Sequence, residues 1–147
     1  MRRIVTLVVF LVVVLGAGLA IGSVTRPDGW YAALNKPPFN PPSWVFAPVW
    51  TLLYVMIAVA GARTYARIRG FSLWVVQMAL NFAWTPAFFL LHRPVLALVI
   101  VVALLASILA FIKMKWPDDR VSAWLFVPYA AWVAFATLLN ASIVALN

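Results

Sequence analysis

Apolar residues run almost unbroken through five stretches of this chain, at 4–23, 43–62, 71–91, 94–112 and 123–146, and polar residues collect in the breaks between them. Each stretch is close to the roughly 20 residues that a helix needs to cross a bilayer. The pattern predicts an all-α membrane protein, one domain over residues 1–147, folded as a five-transmembrane-helix bundle. Only His92 and Arg93 separate the third and fourth stretches, so those two helices are antiparallel neighbours. Arg2 and Arg3 ahead of the first run also suit a signal peptide. That run is too long for a typical secretory core and no Ala-x-Ala site follows it, so it is read as a span.

The break at 26–42 is unlike the others. From Trp30 to Trp50 the chain reads WYAALNKPPFNPPSWVFAPVW, with Pro37, Pro38, Pro41 and Pro42 inside a short block. Each proline lacks a backbone donor and pushes its predecessor out of the helical region. A proline-rich loop between helices 1 and 2 is therefore expected, stiff enough to cover something beneath it. Pro48, Pro86 and Pro128 fall inside spans, where neighbouring helices must re-satisfy the freed carbonyls.

Composition strengthens the membrane reading. Hydrophobic residues make up 67% of the 147 residues and charged ones 10%. Soluble domains hold about 45–50% and about 25%. The net charge of +8 would suggest nucleic acid in a soluble protein. Here the basic residues sit at span ends, where they anchor helices, so no nucleic-acid partner is expected. Arg2, Arg3, Arg63, Arg67, Arg69, Lys113, Lys115 and Arg120 share one side, against Arg26, Lys36 and Arg93 on the other. The positive-inside rule then puts the N-terminus in the cytoplasm of a bacterial-type cell membrane and the proline-rich loop outside. With no cysteine, one histidine (His92) and three acids (Asp28, Asp118, Asp119), none inside an apolar run, no metal site and no intramembrane proton relay is expected.

Helical faces bring other residues forward. Ala79, Ala83 and Ala87 stack at four-residue spacing, which suits close helix packing, either within the bundle or as a homodimer seam. Gly18 and Gly22 form a GxxxG spacing, read as packing against a neighbour in the bundle. Phe126, Tyr129, Trp132, Ala136 and Asn140 share one face, Trp50 and Tyr54 another, and Asn81, Trp84 and Phe88 a third. Asn81 and Asn140 stand in apolar sequence, so each amide faces an interhelical partner or a ligand. Of the eight tryptophans, Trp30, Trp44, Trp74, Trp116 and Trp124 suit an interfacial aromatic belt. Trp50, Trp84 and Trp132 lie too deep for it. Were their spans to meet, the three rings would line one cavity suited to a large, flat, apolar ligand.

The stretches at 30–54 (WYAALNKPPFNPPSWVFAPVWTLLY), 79–89 (ALNFAWTPAFF) and 127–140 (VPYAAWVAFATLLN) resemble the TspO/translocator protein family, the tryptophan-rich sensory proteins or peripheral-type benzodiazepine receptors. The resemblance covers nearly the whole chain. It implies a five-helix bundle, often dimeric, that binds porphyrins such as protoporphyrin IX and synthetic isoquinoline-carboxamide and benzodiazepine ligands. Carried over by motif, Tyr31, Trp50, Asn81, Trp84, Phe88, Trp132 and Ala136 would line the ligand pocket. Tyr54, Tyr129 and Asn140, on the same faces, complete the expected ligand-binding set.

The resemblance leaves three functions open. The first is a porphyrin sensor regulating tetrapyrrole metabolism or a stress response, with Arg26 or Lys36 near the entrance as candidate partners for porphyrin carboxylates. The second is light-dependent oxidative degradation of protoporphyrin IX, in which Trp50 and Trp132 would be the catalytic indoles and no other cofactor is required. The third is porphyrin or lipid transport, disfavoured because no repeat and no midplane charge is seen. The sterol-recognition pattern of animal members is missing: Ala141 stands where its tyrosine falls and no basic residue follows.

Overall fold

The computed structural model describes residues 2–25 and 29–147, the Ser43 side chain excepted. Helix α1 (Arg2–Val24) is followed by a short helix, α2 (Gly29–Ala33), and then by the proline block, which is irregular up to a 3-10 turn at Ser43–Val45. The remaining helices are α3 (Phe46–Arg67), α4 (Phe71–Thr85, continued by a π-helical turn Pro86–Leu90), α5 (Pro94–Lys115) and α6 (Arg120–Leu146). Five of these are long and apolar enough to cross a membrane. The chain is an integral, multi-pass membrane protein with the expected five-helix plan. In packing order α1 lies on α3, α3 on α6, α6 on α5 and α5 on α4, and α4 closes the ring against α3 and α1.

Several helices overrun the expected spans at the basic end of the bundle. Helix α3 continues past residue 62 to Arg67, α5 past 112 to Lys115, and α6 starts at Arg120 rather than 123. A polar network keeps these turns helical. The Asp119 carboxylate caps α6 by accepting from the Ser122 backbone N–H at 3.4 Å. It also accepts from the Arg63 guanidinium at 2.9 Å and lies 3.6 Å from Arg67. Burial alone would raise the Asp119 carboxyl, but hydrogen bonds from Arg63 and Ser122, with the Arg63 charge, hold it below the usual carboxylate range. The buried Lys115 ammonium donates to the Arg69 carbonyl at 2.8 Å.

The half of the bundle nearest this network is solid. Val14, Leu53, Ile57, Leu104, Ile108, Phe111, Phe126 and Val133 fill it. Trp74 belongs to this core and not to the aromatic belt: it is 6% exposed, and its indole donates to the Ile57 carbonyl at 2.9 Å. Gly61 makes room for it, since a Cβ there would come within 2.5 Å of the Trp74 ring. Trp44, Trp116 and Trp124 are exposed, as belt residues are.

The alanine stripe of α4 is also corrected. Ala79 and Ala83 face outward, but Ala87 is 3% exposed and joins a buried cluster with Tyr31, Phe88, Ala97 and Ile143. Pro86 opens the π-helical turn, in which Leu91 N–H reaches back five residues to the Pro86 carbonyl at 3.0 Å. The wider winding breaks the four-residue stacking and turns Ala87 inward. It cannot share an outward seam with Ala79 and Ala83.

Candidate ligand-binding cavity

At the opposite end of the bundle the helices part around a cavity of about 480 Å³. Helix α3 contributes Phe46, Trp50 and Tyr54, spaced four residues apart and so on one face. Helix α4 contributes Asn81, Trp84 and Phe88, and α6 contributes Trp132, Ala136 and Asn140. Tyr31 and Asn40 descend from the connection, and Gly18 and Gly22 form part of the α1 wall. Nine of the ten residues expected to contact a ligand therefore border one space. The tenth, Tyr129, does not. It is fully buried behind the floor.

The stripe on α6 explains the difference. Phe126 and Tyr129 sit in the solid half of the bundle, whereas Trp132, Ala136 and Asn140, further along the same face, reach the open half. Periodicity gives the face but not the depth at which packing stops. The same logic recovers Phe46, missed in the sequence although it lies one turn before Trp50. It also recovers Gln77, one turn before Asn81, which supports the floor.

The floor is a chain of hydrogen bonds. The Tyr54 hydroxyl donates to Asn81 Oδ1 at 3.2 Å. Asn81 Nδ2 donates to the Tyr129 hydroxyl at 2.6 Å, which donates to Gln77 Oε1 at 2.8 Å. On the wall, Trp84 Nε1 donates to Asn140 Oδ1 at 3.0 Å, and Asn140 Nδ2 donates to the Pro94 carbonyl at 2.9 Å. Both amides thus have interhelical partners, and both still border the cavity. Trp132 Nε1 differs: it is buried and has no hydrogen-bond partner among the described residues. The rings are close enough to act as one surface. Trp50 lies 6.2 Å from Trp84 and 5.6 Å from Tyr54, and Phe46 lies 6.0 Å from Trp132.

The connection is fastened over this space. Tyr31 is 7% exposed and packs on Phe88 and Phe89. Trp30 stacks on His92 at 4.3 Å. Lys36, a candidate for holding carboxylates, is engaged elsewhere. Its ammonium donates to the carbonyls of Tyr31, Ala32 and Leu34 at 2.9, 3.3 and 3.2 Å, closing the end of α2. Arg26, the other candidate, lies outside the described residues. Among the described residues no group of three or more His, Cys, Asp or Glu side chains is placed to hold a metal.

Comparison with known proteins gives this architecture its relatives. The model of the TspO/MBR family matches residues 8–146. Protein CrtK of Rhodobacter capsulatus is 37% identical over 135 residues, covering 87% of this chain and 84% of the relative. The tryptophan-rich sensory protein of Cereibacter sphaeroides is 38% identical over 136 residues, 90% of this chain and 85% of its own. The translocator protein of Bos taurus is 39% identical over 127 residues, 79% and 75% of the two chains. With a family match across nearly its whole length and several relatives at this level, the chain belongs to the TspO/MBR family.

Proposed function

We propose that this protein is a membrane receptor for porphyrins, protoporphyrin IX foremost, and acts as a sensor of tetrapyrrole supply. The observation that supports it best is the meeting of Trp50, Trp84 and Trp132 around one cavity at the covered end of the bundle. Flat rings from three helices give a planar guest stacking partners. The cavity volume lies within the range of about 300–1,000 Å³ of small-molecule sites. Isoquinoline-carboxamide and benzodiazepine ligands would compete for the same rings. In this reading the N-terminus is cytoplasmic and the covered end faces outward, in a bacterial cell membrane. The name of the Cereibacter sphaeroides relative fits a sensory role. The test is titration of detergent-solubilised protein with protoporphyrin IX while indole emission is followed. Saturable quenching at micromolar porphyrin is expected, and unchanged emission would count against the proposal.

A second reading, light-driven oxidation of the bound porphyrin, draws on the same geometry. Trp50 and Trp132 both border the space the guest would occupy, so the two indoles stand within reach of an excited porphyrin as electron or radical partners, with dioxygen as the oxidant that takes up the electrons.

A further inference from the structure

We propose that the ligand enters this cavity sideways from the membrane, through a gap between α1 and α3 at headgroup depth, and not through the covered aqueous end. The proposal rests on the reading of the cavity as a ligand site.

The gap is written in two glycines one helical turn apart. At Gly18 the helices touch: a Cβ there would lie 2.5 Å from the Tyr54 ring. At Gly22 a Cβ would meet nothing within 4 Å. Four residues turn the helix by about 400°, so both positions look toward α3. The difference is therefore separation of the helices and not direction. Beyond Gly18 they diverge, and the cavity reaches the outside between them. Its lips are Leu19, Gly22 and Ser23 on α1 and Ala47 and Thr51 on α3, all of which border the cavity and all of which are exposed.

The chemistry of the lips suits lipid better than water. Ser23 Oγ donates to the Ala20 carbonyl at 2.7 Å, and Thr51 Oγ1 to the Ala47 carbonyl at 2.7 Å. Both hydroxyls are folded back on their own helices, so neither leaves an unpaired donor at the opening. Leu19 is 67% exposed. All five residues lie within about 9 Å of a helix end by the rise of 1.5 Å per residue, which is the level of headgroups and upper acyl chains. An amphiphile with a flat apolar body and charged edges resides at that level.

The aqueous side is stitched shut over its described part. Asn35 N–H donates to Asn147 Oδ1 at 3.1 Å, and Asn147 Nδ2 donates to the Asn35 carbonyl at 2.9 Å, tying the connection to the end of α6. Tyr31 and Trp30 pack down on Phe88 beside this tie.

The chain has no cysteine, so a single one can be introduced as a handle. Gly22→Cys and Gly16→Cys are made in the full chain and reconstituted in liposomes. Protoporphyrin IX association is followed by stopped-flow quenching before and after coupling a bulky maleimide. Gly16 is the control: a Cβ there also meets nothing within 4 Å, but the residue does not border the cavity. Coupling at Gly22→Cys is expected to slow association about tenfold or more, within the span over which on-rates of one complex vary. Coupling at Gly16→Cys is expected to leave it unchanged. Equal rates before and after coupling at Gly22→Cys would overturn the lateral entrance. A lost amplitude with an unchanged rate would overturn it too, since the label would then fill the cavity and not block its mouth. No quenching in uncoupled protein would instead defeat the receptor reading on which the entrance rests.

Discussion

Trp84 and Asn140 face each other across the cavity wall, with the indole Nε1 donating to the amide oxygen at 3.0 Å. The amide's own donor is spent on the Pro94 carbonyl at 2.9 Å, so three helices meet in two bonds. In hydrocarbon such groups find no water to replace a lost partner. Asn140→Leu is expected to cost about 1–2 kcal/mol, from the penalty for an unsatisfied buried group. Thermal unfolding in detergent measures it. In a double-mutant cycle with Trp84→Phe the two losses should fall short of additive by about 0.5 kcal/mol or more, as expected for residues in one network. Simple additivity would mean that the bond contributes nothing.

Gly18 and Gly22 make a sharper pair of predictions. The Tyr54 ring that a Cβ at Gly18 would strike is held by its bond to Asn81 and cannot simply swing away. Gly18→Ala should therefore destabilise by about 1–3 kcal/mol, the usual range for overpacking. Gly22→Ala should cost nothing and gain helix propensity, since glycine is about 1 kcal/mol poorer than alanine. Melting temperatures of the two variants, measured side by side, decide the matter.

Asp119 predicts a pH dependence. Its folded carboxyl is held below the usual range, so its contribution is fully present above the unfolded value, near 4, and is lost as pH falls through the folded one. Wild-type stability should fall as pH drops below about 5, through the unfolded value and on toward the lower folded one, and Asp119→Asn should flatten that drop. At neutral pH the substitution should cost about 1–3 kcal/mol through the lost charged hydrogen bonds, since an amide oxygen can still cap α6. Arg63 is 37% exposed, and solvent screening keeps the figure modest.

The photo-oxidative reading has its own check. Illuminated, aerated protein loaded with protoporphyrin IX should lose its porphyrin band faster as wild type than as Trp132→Phe. Equal bleaching rates would remove that indole from the chemistry.

Sequence periodicity carried the five spans and the three cavity-facing stripes, because a lipid solvent punishes any other arrangement of such long apolar runs. It misjudged features set by tertiary packing. Trp74 stands near a span end and looks interfacial, yet Gly61 on a different helix opens the slot that buries it. Ala87 stacks with Ala79 and Ala83 only on a uniform α-helix, and the π-helical turn at Pro86 removes that condition. Helix ends at Arg67 and Lys115 depend on carboxylate and carbonyl partners far away in the chain, Asp119 and the Arg69 carbonyl, which no local pattern contains, whereas the start at Arg120 is set by a local cap, Asp119 on the Ser122 N–H, that lies outside the apolar run. Tyr129 shares its face with Trp132, and only the depth of the packed core separates floor from lining.

The most direct test of the central claim is equilibrium binding of protoporphyrin IX to nanodisc-embedded wild type and to Trp50→Leu, Trp84→Leu and Trp132→Leu. Loss of one aromatic contact of about 0.5–1.5 kcal/mol predicts saturable binding by wild type and affinities about two- to tenfold weaker in each variant. Identical affinities in all four proteins, or no saturable binding by wild type, would contradict it.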